Sequence, residues 1–322
     1  MLKNPCSVIL ICPLRHLFIF TVNLLAIVVL SAGRCGLSRC ITRYLLSMAV
    51  ADLLVLITEV LLYRISRYYF PGSFLEITPV CSVHTVLLYA ATDTSVWLTV
   101  AFTFDRFLAI CCQKFKLHYC TEKVAAVVIS TVSVLSCSRQ IPRYFANEPK
   151  HVTDNIPWNC EVKASYYVLT AWIAFDWLDT ILTPFLPFVV ILLLNSLTIR
   201  HIVVASRVRK TFRENNRRLD RCDREMENRR KSIILLTAIS GSFIVLWTPY
   251  VVQFLHYQIA NCYDTAGPRD PIYIFQETAY MLQVLSCCTN TCIYTVIQAK
   301  FREEVKNLLK CPLGVINQLI SS

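Results

Sequence analysis

The sequence predicts an all-α membrane protein: a bundle of seven transmembrane helices followed by a short amphipathic helix on the inner membrane surface. Three observations predict it: an apolar composition, seven apolar runs of membrane-spanning length, and basic residues gathered on one side. Of the 322 residues, 55% are hydrophobic and only 16% are charged, with a mean hydropathy of +0.51. A soluble chain of this length would be more polar.

Seven runs are long enough for a spanning helix, which needs about 20 mostly apolar residues. Lipid offers the backbone no hydrogen-bond partners, so each run is predicted to be helical. The predicted spans cover residues 9–31, 42–63, 82–111, 124–142, 167–204, 232–258 and 272–297. Residues 1–298 then form one transmembrane domain, and residues 299–322 form the amphipathic helix and a short tail. Arg15 and His16 interrupt the first run, so no cleavable signal peptide is evident.

The basic residues set the predicted orientation. With the N-terminus outside, 22 of the 32 Lys and Arg residues fall in inner segments, twelve of them between positions 200 and 231. Short basic loops stay cytoplasmic, which predicts an outer N-terminus and a cytoplasmic C-terminus. A net charge of +11 would also suit nucleic-acid binding, but seven apolar spans argue strongly against that class.

Several of the 16 cysteines, among them Cys111, Cys287, Cys288 and Cys292, lie inside spans, where Cys behaves as a small apolar residue. The cysteines on the oxidising outer side are Cys6, Cys12, Cys81, Cys160 and Cys262. For Cys262 the sequence leaves three options open: a bond to Cys6, a bond to Cys12, or a free thiol.

The segment "AKFREEVKNLLKC" predicts the amphipathic helix. Phe301, Val305, Leu308 and Leu309 form one apolar stripe on a charged helix, which is typical of a helix lying on a membrane surface. Cys311 follows directly and is a candidate for palmitoylation, a plain cysteine being the alternative. Membrane lipid is therefore an expected partner.

Polar and charged residues inside the spans are the first functional candidates, because charge is costly there. A proline inside a span also matters, because it removes a backbone hydrogen bond and kinks the helix. These candidates are Asp52 in the second span, Asp105 and Arg106 at the end of the third, Trp247 and Pro249 in the sixth, and Asn290 and Tyr294 in the seventh.

Together these residues resemble the motifs of the rhodopsin-like (class A) G-protein-coupled receptors, over residues from about 20 to 311. Six motifs stand in the family's order: Asn23, Asp52, "DRF", "FIVLWTPY", "NTCIY" and Cys81, 25 residues before Arg106. The resemblance implies a disulfide between Cys81 and Cys160. It also implies that Asp105 pairs with Arg106 until the sixth helix swings outward about Pro249. A heterotrimeric G protein would then dock, drawing on Arg106, Asn195 and the basic third inner loop.

The same resemblance implies a sodium ion bound at Asp52, with Ser95, Ser286 and Asn290 as partners and Trp247 beside them. A carboxylate with hydroxyl and amide oxygens suits a small hard cation. The alternative is a polar network filled with water. No other cofactor is expected.

Several positions depart from the family pattern. Thr291 replaces the proline of the seventh span, Phe107 the tyrosine after the arginine, and Asn195 a tyrosine of the fifth span. Arg229 lies near the place where the sixth helix usually offers an acid to hold the arginine. These changes weaken the contacts that would hold the receptor in its inactive state, so basal activity is expected.

The outer half of the fifth span predicts the ligand site. Leu88 stands where amine receptors carry an aspartate, which argues against a monoamine ligand. Asp176, Asp179 and Thr183 share one helical face, and acidic and aromatic walls suit a ligand with a cationic nitrogen and an aromatic body. The ligand-binding candidates are Tyr89, Thr92, Asp176, Asp179, Thr183, Tyr250, Gln253, Tyr280 and Gln283. In the alternative, the two aspartates pair with Arg139, Arg143 or basic residues of the outer loops.

Within the family, "WLTVAFTFDRFLAICCQKFKLHYCTEK" is most similar to the orphan branch of G-protein-coupled receptor 139. That similarity implies aromatic amino-acid ligands and coupling to Gq. The expected protein is a plasma-membrane receptor that reports an aromatic amino acid or a small peptide to Gq. The chain lacks H-E-x-x-H and G-x-S-x-G, so no enzyme is predicted. Rival functions are a non-signalling decoy receptor and, with less support, a small-solute transporter.

Overall fold

A computed structural model describes residues 5–33, 35–65, 69–213, 220–260, 270–297 and 299–308. Within these described residues, seven long helices follow one another along the chain. The first four are Pro5–Ser31; Arg39–Leu56, which continues as the π-helix Ile57–Ile65; Thr78–Cys111; and Glu122–Gln140. The fifth begins as Thr170–Thr180 and continues through the π-helix Ile181–Phe185 into Leu186–Arg213. The sixth is Asp220–Ala260 and the seventh is Pro271–Ile297. The fifth and sixth helices extend past their predicted spans, because the charged residues beyond the apolar runs continue the helix.

Five helical stretches among the described residues are long and apolar enough to cross a membrane. They are Arg39–Tyr63, Thr78–Cys111, Glu122–Ala146, Thr170–Ala205 and Thr237–Tyr257. The first helix contributes a shorter apolar stretch, Leu17–Ser31. The seventh is interrupted by polar residues such as Gln276, Glu277 and Asn290.

The bundle is closed, because the first helix packs against the seventh as well as the second. The third helix lies at the centre and contacts the second, fourth, fifth and sixth. The main apolar core lies in the inner half, where Leu45, Met48, Leu98, Phe102 and Ile239 are buried together.

Residues 299–308 form the predicted amphipathic helix. Phe301 is only 1% exposed and joins the main core, and Val305 packs against the same cluster. Leu308 is exposed, while Leu309 and Cys311 lie outside the described residues. Part of the apolar stripe therefore docks on the bundle itself, and less of it is left for the membrane surface.

The outer loop between the fourth and fifth spans contains a β-hairpin that the sequence analysis did not predict. Strand β1 (Asn147–Thr153) pairs antiparallel with strand β2 (Ile156–Val162). Asp154 and Asn155 form the turn at φ values of 51° and 60°, a left-handed conformation that Asp and Asn tolerate well. The Asp-Asn pair between extended residues was the signal available in the sequence.

The hairpin is fastened to the outer end of the third helix. Cys160 on β2 forms the predicted disulfide with Cys81. The Thr78 hydroxyl adds hydrogen bonds to the carbonyl oxygens of Pro157 and Asn159, each at 3.1 Å. Cys262 and the side chains of Cys6 and Cys12 lie outside the described residues, so their pairing stays a prediction.

Candidate ligand cavity and signalling core

A cavity of about 80 Å³ lies within the outer half of the bundle. A wider vestibule of about 420 Å³ adjoins it, since Glu59, Leu88, Tyr89 and Tyr280 line both spaces. Seven of the predicted ligand-binding residues line the deep cavity, namely Tyr89, Thr92, Asp179, Thr183, Tyr250, Tyr280 and Gln283. Asp176 and Gln253 are not among its lining residues. Glu59, Asp93 and Trp247 line it in addition.

The acidic side of the cavity is held by an outer ionic network, which consists of Asp93, Arg139, Gln140, Arg143, Asp176 and Asp179. Asp179 accepts hydrogen bonds from Gln140 Nε2 at 2.7 Å and from Arg143 Nη2 at 2.8 Å. Asp93, only 2% exposed, is ion-paired with Arg139. The pairing of the aspartates with Arg139 and Arg143, which was the alternative to a role in ligand binding, is therefore present. Asp179 also lines the cavity.

Asp176 closes the outer end of this network, away from the cavity. It lies 3.6 Å from Arg143 and accepts a hydrogen bond from the Tyr166 hydroxyl. Burial raises the pKa of the Tyr166 hydroxyl, so Tyr166 stays protonated and remains a donor. Arg143 also stacks on the Tyr89 ring, with its Cζ 3.8 Å from the ring centroid. The cavity wall is thereby joined to the outer loop.

Asp93 is the functional candidate that the sequence analysis missed. It lies in "LLYAATDTSVW", in the middle of the third span. An acid inside a membrane span is a candidate by the same argument that selected Asp52. That signal was present in the sequence.

Aromatic side chains form the cavity floor and extend below it. The rings of Trp247, Tyr250 and Tyr280 form a row in space, in which neighbouring ring centroids are 5.8 Å apart. On the inner side, Trp247 packs on Phe243 at 5.4 Å. The Trp247 indole N–H donates to Ser286 Oγ at 3.1 Å, which ties the sixth helix to the seventh.

Below this floor lies the buried carboxylate Asp52, which is 1% exposed. It accepts hydrogen bonds from Ser95 Oγ at 2.5 Å and Asn290 Nδ2 at 3.1 Å. The structure thus joins three of the four predicted sodium ligands. The fourth, Ser286, uses its hydroxyl with Trp247 and donates to the Gln283 carbonyl at 2.6 Å.

At the inner end, Arg106 is paired with the neighbouring Asp105, and both side chains are buried. Arg106 Nε donates to Asp105 Oδ2 at 3.0 Å. The Cys40 thiol of the second helix approaches the other carboxylate oxygen at 3.3 Å. This arrangement can hold the arginine inside the bundle until a competing contact releases it.

The remaining candidates lie on the fifth, sixth and seventh helices. Among the described residues, Asn195 Oδ1 and Gln253 Oε1 are the buried side-chain atoms without a hydrogen-bond partner. Pro249 lies inside the sixth helix. The side chains of Tyr294 and Arg229 lie outside the described residues.

Comparison with known proteins identifies this arrangement. The family model of seven-transmembrane receptors of the rhodopsin family matches residues 22–294. The chain belongs to the rhodopsin family of receptors. The predicted family and the all-α, seven-helix membrane fold are therefore confirmed.

Among curated proteins, this receptor is similar to cysteinyl leukotriene receptor 1 of Sus scrofa and of Homo sapiens. Each is 22% identical over 284 residues, covering 85% of this chain and 76% of the relative. Tachykinin-like peptides receptor 86C of Drosophila melanogaster is 24% identical over 283 residues, covering 85% of this chain and 53% of the relative. These relatives are receptors by name. They do not show the orphan branch, the ligand or the G-protein class.

Proposed function

We propose that this receptor lies in the plasma membrane with its N-terminus outside and reports a small extracellular ligand to a heterotrimeric G protein of the Gq class. The ligand is an aromatic amino acid or a small peptide. The observation that carries the proposal is the position of Trp247, which lines the outer cavity and packs on the aromatic residues below it. The names of the curated relatives support an extracellular ligand. The receptor performs no covalent chemistry of its own.

Signalling follows from a shift between two populations. A ligand that binds the active state more tightly increases the population of that state. The size of this shift is set by the difference between its affinities for the two states. Movement of the sixth helix about Pro249 opens the inner side and frees Arg106 from Asp105. The C-terminal helix of the G protein then docks in the groove, with Arg106 and Asn195 on its walls. The Asn195 amide oxygen, which accepts no hydrogen bond from the described residues, supports that role.

The Asp52 centre is proposed to hold a sodium ion in the inactive state. A carboxylate, a hydroxyl and an amide oxygen are ligands that a hard monovalent cation accepts, and Asn290, whose Nδ2 now donates to Asp52, would turn its amide oxygen toward the ion. When bound, the ion supplies positive charge that neutralises the buried Asp52. Asp52, Ser95 and Asn290 would hold it, and Ser286 would join only after giving up a present hydrogen bond.

The decisive experiment expresses the full chain in cells and records calcium release and Gq dissociation. Tryptophan and phenylalanine are added in parallel, and Arg106→Ala is compared at equal surface amount. A response that disappears in Arg106→Ala supports the receptor function and the aromatic amino-acid ligand. Surface expression with no basal or ligand-driven signal, with every G-protein class tried, would contradict it.

A non-signalling decoy receptor is the second candidate, and Thr291 is the observation that favours it. Thr291 replaces a proline of the family motif, and its hydroxyl donates to Asn23 Oδ1 at 3.4 Å. This bond ties the seventh helix to the first within the buried core. Restoring proline by Thr291→Pro should increase signalling if the bond restrains the receptor, and leave a true decoy silent.

A further inference from the structure

The deep cavity and the vestibule meet at a neck. Among the described residues, the two spaces share the lining residues Glu59, Leu88, Tyr89 and Tyr280. A ligand that moves from the vestibule into the deep cavity must therefore pass between these side chains. Tyr89 and Tyr280 carry the large rings of the neck, so the positions of these rings set its width.

Arg143 holds the Tyr89 ring from behind the cavity wall. It lies in the 3-10 helix Ile141–Ala146, is only 8% exposed, and is not among the described residues that line either space. Its Cζ lies 3.8 Å from the ring centroid of Tyr89 and 5.2 Å from that of Phe175. A flat guanidinium on an aromatic face is an attractive contact, and it is stronger when water is excluded.

Hydrogen bonds fix the guanidinium in this place. Its Nε donates to Gln140 Oε1 at 2.8 Å, Nη1 to the Tyr166 hydroxyl at 3.2 Å, and Nη2 to Asp179 Oδ2 at 2.8 Å. All three nitrogens are thus engaged, toward the fourth helix, the outer loop and the fifth helix. Arg143 has little freedom to move, and the Tyr89 ring that rests on it is held as well.

The same arginine affects the charge that a ligand meets. Asp179 lines the deep cavity, and its carboxylate pairs with Arg143, which lies behind the wall. Loss of the guanidinium charge would make the potential inside the cavity more negative, however the other residues there are paired. Such a change is weakly screened in a buried site.

We propose that Arg143 is a positioning residue that determines ligand selectivity at the deep cavity without touching the ligand. Through Tyr89 it limits the size of the groups that pass the neck. Through Asp179 it lowers the preference of the cavity for cations. This inference rests on the proposed function, because it takes the deep cavity as the ligand site.

The test follows small thiol reagents into the cavity and needs neither a ligand nor a G protein. Thr92, which lines the deep cavity, is changed to Cys in the full chain. Intact cells receive one of two impermeant methanethiosulfonates of similar size, one with a trimethylammonium group and one with a sulfonate group. Mass spectrometry measures the rate of modification at position 92, so the native cysteines do not interfere.

Thr85→Cys is the matched control. Thr85 lies two turns further out on the third helix and lines the vestibule. Its hydroxyl donates to the carbonyl oxygen of Cys81, as that of Thr92 donates to the carbonyl oxygen of Leu88, each at 2.9 Å. A reagent reaches position 85 without passing the neck, so its rates there should change little.

Two changes at Arg143 separate the effects of charge and width. Arg143→Gln keeps a flat polar group and removes the charge. At position 92 the ratio of the cationic rate to the anionic rate should then rise by about tenfold. Arg143→Lys keeps the charge and loses the flat stacked group, so both rates should rise together at an unchanged ratio. Tyr89→Leu, which removes the ring and leaves Arg143 in place, should act as Arg143→Lys does.

Surface amounts are measured for each variant. If Arg143→Gln does not reach the surface, Asp179→Asn tests the charge from the other partner and should lower the ratio instead of raising it. An unchanged ratio in the charge variants, or unchanged rates in Arg143→Lys and Tyr89→Leu, overturns the inference. So does a failure of every variant to react at position 92 while position 85 reacts.

Failure of the proposed function gives a different result. The rates at position 92 then change as expected, but no ligand and no basal activity engages any G protein. In that case the selectivity of the cavity stands and the signalling function fails. Signalling by tryptophan or phenylalanine with unaltered reagent rates in all variants would mean the reverse.

Discussion

Asp93 and Arg139 form an ion pair between the third and fourth helices, in the outer half of the bundle. Removing Arg139 leaves the Asp93 carboxylate buried with Gln140 as its remaining described partner, and breaking a buried pair in this way typically costs about 3–5 kcal/mol. We expect Arg139→Ala to lower the thermal stability of the detergent-solubilised receptor sharply. The double variant Asp93→Ala/Arg139→Ala should recover part of that loss. Equal stabilities for the single and double variants would show that the pair is not coupled.

Asp52 offers a second prediction at the residue scale. Its carboxylate is the anionic member of the centre formed with Ser95 and Asn290. We expect Asp52→Asn to change agonist potency and to remove the dependence of potency on sodium, because the neutral amide no longer attracts a cation. Potency is measured in sodium and in a large organic cation at equal ionic strength. Sodium dependence that persists in Asp52→Asn would contradict the proposed site.

At the scale of single elements, the helix at 299–308 provides a test with an internal control. Phe301 is fully buried in the main apolar core, whereas Leu308 on the same helix is 38% exposed. Truncation of a buried Phe typically costs about 3–5 kcal/mol. Phe301→Ala should therefore destabilise the solubilised receptor, and Leu308→Ala should leave its melting temperature nearly unchanged. Similar effects of the two changes would mean that the helix does not dock as described.

The elements also show what sequence patterns reveal and what they leave hidden. The seven helices were predictable, because each needs a long apolar run whatever its neighbours are. The hairpin was harder to predict: Asp154 and Asn155 mark its turn, but β1 is exposed almost throughout and has no alternating apolar pattern. Its position depends on Cys160 and Thr78, which are distant in sequence.

At the scale of the whole molecule, the distribution of basic residues predicts the orientation. We expect an epitope tag at the N-terminus to bind antibody on intact cells, and a tag at the C-terminus to bind only after permeabilisation. The physical reason is that short basic loops are retained on the cytoplasmic side of the membrane, and residues 200–231 are the most basic inner segment. Antibody binding to the C-terminal tag on intact cells would reverse the topology.

The candidate site as a whole was predictable only in part. Family motifs placed Asp52, Asp105 and Arg106, because each belongs to a motif that is recognisable within its own helix. The outer ionic network joins the third, fourth and fifth helices, and helix periodicity does not determine which faces meet. Arg139 and Arg143 therefore remained one alternative among several until the packing was known.

The pairing of Asp93 with Arg139 also bears on how the chain is made. A growing chain delivers the third span to the membrane before the fourth, so Asp93 arrives without its cation. A carboxylate at mid-span opposes insertion by about 2.5–3.5 kcal/mol. The third span is thus expected to enter lipid efficiently only beside the fourth. Nascent chains ending after residue 120 should leave it less stably inserted than chains ending after residue 146.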